Sequence, residues 1–168
     1  LLVHAVNPYG MAWWRRQNES NVDLNRNWGR DETVPERNAA YDELHHLICP
    51  DGTQPPSAEP FLAELRRLVD TRGGPWVKAA ISQGQYHHPD GLYFGGARTE
   101  ASTRIVADVV RRHAGGAELV VTLDLHTGHG PWGTATILTD APSDSPRGGW
   151  LRATFAAMRV EHTTEPGA

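Results

Sequence analysis

With a single cysteine, Cys49, the chain has neither a disulfide framework nor a thiolate metal cage. Cys49 stands before Pro50 at the end of a helical pattern, which suits packing better than nucleophilic chemistry. Apolar runs long enough to cross a bilayer are missing, as is a charged leader with a hydrophobic centre and a small-residue cleavage site. The expectation is a soluble chain with no membrane partner. Cationic excess is also lacking: net charge is -4, and the 16 Lys and Arg are scattered rather than gathered into a stripe. That argues against a nucleic-acid partner. No internal repeat, low-complexity block or domain linker interrupts the sequence. Compartment is left open, with a cytoplasmic setting favoured over a secreted one.

What the chain does have is a series of apolar segments joined by polar loops rich in Asn, Arg, His and Gly. The 168 residues suit one domain with a buried core. Because the chain opens on the apolar run LLVHAV and stops in TTEPGA, residues 1–168 read as a single partial domain, incomplete at both ends. Residues 1–6 are expected to form a strand ending at the turn NPYG. The following segment, through Arg30, has no clean period and reads as a long functional loop with one helical turn at most. Residues 35–48 place Ala40, Tyr41, Leu44, Leu47 and Ile48 on one helical face. Ser57 is expected to cap a second helix whose stripe is Phe61, Leu62, Leu65, Leu68 and Val69. WVKAAIS, residues 76–82, reads as a buried strand. Thr99 then caps a helix facing inward through Ile105, Val106, Val109 and Val110. Residues 118–126, ELVVTLDLH, alternate as a strand with Asp124 and His126 on the polar face. A last helix is expected over residues 150–160. Strands separated by capped helices predict an α/β fold, a mainly parallel or mixed sheet flanked by helices, with ligands in the crevice beyond the strands' carboxyl ends.

Three polar segments are predicted to leave strand ends on that rim: NPYG to NVDLNRNW, QGQYHHPDGLYFGG and DLHTGHG. In NVDLNRNW, the planar guanidinium of Arg26 suits a carboxylate, and Asn25 beside it adds a neutral donor. The alternative is an Asn-rich loop that ties down its own backbone, with Asp23 and Arg26 as an ordinary ion pair. His126, at the mouth of the last predicted strand, is the choice for a zinc ligand, with Asp124 as an orienting acceptor. Gly128 and Gly130 would admit a substrate to the backbone, and His129 is a weaker ligand candidate. His87 and His88 diverge on extended backbone, so at most one could face a site. His45 and His46 are expected on a helix, at least one of them facing solvent, and His4, His113 and His162 lack supporting context.

In combination, NPYG, RRQNESNVDLNRNW and DLHTG resemble the zinc carboxypeptidase (M14-like) superfamily, which also includes aspartoacylase and succinylglutamate desuccinylase. GQYHHPDGLYFGG is similar in particular to the carboxypeptidase-like DUF2817 family. The resemblance covers residues 1–133 and implies a metallocarboxypeptidase, or phosphorylase/hydrolase-like, fold. It implies that His126 is the third zinc ligand, that Asn25 and Arg26 hold the substrate's free carboxylate, and that Asp23 orients a zinc histidine. Arg16 corresponds to the arginine that polarises the scissile carbonyl, with Arg15 as the competing alignment. Gln85, Tyr86 and Tyr93 are possible pocket lining. In the family the His-x-x-Glu pair of metal ligands lies ahead of the motifs matched here, its general-base glutamate has no counterpart, and nothing around Glu161 or Glu165 resembles the strand that carries that base.

The expected activity is therefore that of a zinc-dependent hydrolase of the metallocarboxypeptidase type, cleaving an amide bond next to a free carboxylate at a peptide C-terminus. The alternatives are an N-acyl amino acid deacylase of the aspartoacylase type and a noncatalytic carboxylate-binding domain of the same fold. The implied partner is a peptide or N-acyl amino acid, the implied cofactor is zinc, and the piece alone is expected to be inactive.

Overall fold

The computed structural model describes residues 1–29, 37–50, 57–125 and 131–162. They divide into two compact units, Leu1–Val120 and Val121–Ala168. The first contains helices α1 (Pro8–Trp13), α2 (Leu24–Asn27), α3 (Ala39–Ile48), α4 (Ala58–Arg72), α5 (Gly74–Ser82) and α6 (Ala101–Ala114). The second contains β1 (Thr136–Thr139), α7 (Pro146–Thr154) and β2 (Arg159–His162). Helices together with a parallel strand pair make the chain α/β in class. No described helix is long and apolar enough to cross a membrane.

Short polar side chains fix where several helices begin. Asn7 accepts from the Gly10 N–H at 2.9 Å, with Pro8 in the first turn of α1. Asn38 caps α3 by accepting from the Tyr41 N–H at 2.9 Å, and its amide donates to the Ala80 and Gly84 carbonyls at 3.0 and 2.9 Å. One asparagine thus starts α3 and fastens it to the end of α5. Behind that joint Leu44, Leu68, Val77 and Ala80 form the apolar core of α3, α4 and α5. Fully burying such a Leu or Val side chain is worth about 1.5–3 kcal/mol, which exceeds any single cap here.

Several expectations from sequence need correction. Residues 76–82 are helical, within α5. Pro75 sits in the first turn, and Val77 and Ala80, three apart, both face the core, so the helical period prevails over the run's β-branched content. Residues 1–6 and 118–125 form no strand. A strand needs a ladder partner, and none of the described residues pairs with either run; Leu2 and Leu125 are exposed. The helix expected over residues 150–160 is α7, which starts at Pro146 and ends at Thr154; β2 follows. The stripe expected on α6 is half-buried at Val106 and Val109 and exposed at Ile105 and Val110, and Glu100 rather than Thr99 occupies its N-cap.

The strand pair of the second unit was not foreseen. β1 and β2 run parallel in the register Thr136↔Arg159, Ile137↔Val160, Leu138↔Glu161 and Thr139↔His162. Parallel neighbours require a crossover, and α7 supplies it, capped by Ser145, whose hydroxyl accepts from the Gly148 N–H at 3.0 Å.

Candidate functional site

The first unit organises its polar segments around a second buried cluster made largely of amides. Gln85 is buried at the head of the loop that follows α5. Its side-chain oxygen accepts from the His87 and His88 N–H groups at 3.0 and 2.8 Å, and its amide donates to the His88 and Leu92 carbonyls at 2.7 and 3.3 Å. The Gln85 N–H donates to the Tyr93 carbonyl at 3.2 Å, and the Gly95 N–H donates back to Gln85 at 2.8 Å. A loop of residues 83–96 is thereby closed on one side chain.

Two further amides join that loop to its neighbours. Asn27, fully buried at the end of α2, donates to the Gly95 and Arg98 carbonyls, both at 2.8 Å. Its oxygen accepts from the Glu100 N–H at 2.8 Å and the Thr103 hydroxyl at 3.0 Å, so α6 begins on a cap borrowed from α2. Asn18 accepts from the Ser20 and Val22 N–H groups and donates to Glu100. The Asp23 N–H then donates to the Phe94 carbonyl at 2.7 Å.

On this frame Arg16, Asp23, Arg26 and Tyr93 come together. Asp23 is buried, caps α2 through the Asn25 N–H at 3.1 Å, and takes the Arg16 Nε–H at 2.7 Å on its other oxygen. Arg26 donates from Nε and one terminal nitrogen to the Ser82 carbonyl, and from the other to the Asn25 carbonyl at 3.3 Å. That leaves a donor on each terminal nitrogen for an anion. The guanidinium carbons of Arg16 and Arg26 lie 5.4 and 5.9 Å from the centre of the Tyr93 ring. Two cations share one aromatic platform while the one carboxylate, Asp23, pairs with Arg16 alone, a local surplus of positive charge suited to a bound carboxylate. Beside Arg16 an open concavity of about 580 Å³ is lined by Asn7, Gly10, Met11, Trp14 and Arg15.

Of the predicted site residues, Arg16, Asp23 and Arg26 therefore meet. Asn25 is exposed on α2; adjacent residues on a helical turn do not face each other, so it borders Arg26 rather than sharing its direction. Arg15 donates to Asn21 at 3.0 Å, away from Asp23. The ion pair offered as the simpler reading of NVDLNRNW, Asp23 with Arg26, does not form; Asp23 takes Arg16. Its other half does not hold as expected: Asn21 and Asn27 tie down the distant backbone of residues 89–100 rather than their own, and the local backbone is held by Asn18, upstream of that stretch. Asp124 is exposed in the second unit, while His126, Gly128, His129 and Gly130 lie outside the described residues. Among the described residues no three His, Cys, Asp or Glu side chains assemble as a metal cage.

Sequence reading underrated Tyr93 and Gln85 and missed Asn27 altogether. Tyr93 holds a left-handed backbone, φ +54°, as do Trp14 and Asn21 at +56° and +59°. Such strain at non-glycine residues gathers at functional sites. No sequence signal marks it, although the glycines around Tyr93 were visible.

The model of the family described as "Protein of unknown function (DUF2817)" matches residues 1–166. The chain belongs to the DUF2817 family. No curated protein and no solved structure matches it. For this DUF2817 chain the arginine pair on Tyr93 is the arrangement from which a function can be argued.

Proposed function

We propose that this chain carries the carboxylate-recognition part of a zinc-dependent hydrolase of the metallocarboxypeptidase type and fold, acting on an amide bond next to a free carboxylate. The observation that carries the reading is the convergence of Arg16 and Arg26 on Tyr93, with Asp23 holding Arg16. Arg26 grips the substrate carboxylate and Asn25 borders it. Arg16, oriented by Asp23, meets the negative charge that develops on the amide carbonyl oxygen. His126 is the proposed zinc ligand and Asp124 its orienting acceptor. Zinc, when bound, supplies an activated water. The remaining ligands and the general base come from outside these motifs.

The test uses the full-length gene product supplied with zinc and offered three substrates: a peptide with a free C-terminus, the same peptide amidated, and an N-acyl amino acid. Release of the last residue from the free peptide alone is expected. Equal cleavage of the amidated peptide removes the carboxylate clamp from the reading. Hydrolysis confined to the N-acyl amino acid replaces the peptidase with the deacylase. Arg26-dependent carboxylate binding without turnover leaves a binding domain.

A further inference from the structure

His88, on the loop that carries Tyr93, has a separate set of partners on α3. Its Nε2 lies 2.9 Å from Asp42 Oδ1, and its ring stacks on that of His45 with centroids 3.7 Å apart and planes inclined by 16°. The Tyr41 ring flanks both, at 5.8 Å from His88 and 5.9 Å from His45. Asp42 and His45, three residues apart, share a face of α3. The Nε2 atom of His45 is buried without a hydrogen-bond partner.

Protonating His45 makes both of its nitrogens donors, so Nε2 becomes a buried N–H with no acceptor. It also sets a positive charge against the ring of His88. Asp42 is the carboxylate hydrogen-bonded to the pair, and it already accepts from Arg37 at 2.9 Å. The other titratable or charged groups facing the pair are Tyr41 and Cys49 on α3 and its cap, and His87 and Asp90 on the loop. The side of α3 packed on α4 and α5 is apolar, Leu44 against Leu68, Val77 and Ala80, with Glu64 and Arg72 engaged by Arg67 and Glu43. A proton on His45 Nε2 would thus meet no acceptor.

We propose that His45 and His88 form a proton-operated latch between α3 and the loop of residues 83–96. With at most one proton on the pair the rings stay stacked and the loop is held. A second proton drives them apart and frees the loop, and with it the platform under Arg16 and Arg26.

Amide hydrogen exchange of the intact protein, corrected for intrinsic rates, tests this without any substrate. The reporters are the Gln85, Gly91 and Gly95 N–H groups, which donate to Tyr93, His88 and Gln85 at 3.2, 3.0 and 2.8 Å. Their protection should fall about tenfold or more between about pH 7.5 and about pH 5.5, while amides of α4 keep theirs. His45→Phe keeps a ring in the stack with no proton to take up, and His45→Gln keeps a planar uncharged group; either one that folds should flatten the pH dependence. Unchanged protection in the unmodified protein overturns the latch. So does an equal loss across α4, or a folded His45 variant that opens with the same pH profile.

Discussion

Gly84 runs so close to Arg26 that a Cβ on it would stand 2.6 Å from Arg26 Cδ. Its φ of +96° belongs to glycine as well. Gly84→Ala should therefore cost about 1–2 kcal/mol through the backbone and also push the Arg26 side chain off the Ser82 carbonyl. Denaturant unfolding and titration with a small carboxylate ligand should both register the change. An alanine variant with intact carboxylate affinity would mean that this contact does not set Arg26.

Arg26→Ala separates recognition from metal binding. Loss of a charge-assisted pair should weaken carboxylate binding by about 2–3 kcal/mol, roughly thirty- to a hundred-and-fiftyfold, while zinc content of the full-length protein stays the same. The two are read by calorimetry and by elemental analysis of the purified variant. Depletion of zinc would reassign Arg26 to the support of the metal site.

How much of this could be read from residues alone follows from which forces are local. Caps and helical stripes are local, so α3 and α4 stood out through Leu44, Leu47, Leu65 and Leu68 and through the turn residues around them. Strands are not, because a run such as ELVVTLDL becomes a strand only if another segment pairs with it; among the described residues no β-ladder forms on this run, while the four-residue TILT and RVEH find each other across α7. Arg16, Asp23 and Arg26 were legible because ionic chemistry is visible in residue type. Asn27 and Gln85 were not. Their value lies in satisfying backbone groups brought from distant parts of the chain, and neither periodicity nor composition encodes that.

Asn27→Ala is accordingly expected to destabilise the first unit more than loss of any exposed arginine. It strands the Gly95 carbonyl and the Thr103 hydroxyl in a buried place and the Arg98 carbonyl and Glu100 N–H in a part-buried one. The cost should be about 3 kcal/mol or more, since each unsatisfied buried group carries about 1–3 kcal/mol. Asn27→Asp replaces the two donors with acceptors facing carbonyls and should be no better. A loss below about 1 kcal/mol by chemical denaturation would mean that water takes over these partners.

Acid should act on the Asp42 carboxylate at a lower pH than on the latch. Burial pushes the Asp42 carboxyl upward, but hydrogen bonds from Arg37 and His88 outweigh it and hold the group below the usual carboxylate range. A depressed folded value means that the stabilisation is complete above the unfolded value, about 3.9, and disappears as pH falls through the folded one. The stability difference between the unmodified protein and Asp42→Asn should thus still be present near pH 5, where Asp42 remains ionised and takes Arg37, and should shrink below about pH 4. Denaturation of both proteins at a series of pH values measures it. A difference that persists undiminished to about pH 2.5 would show that Asp42 contributes through packing and not through its charge.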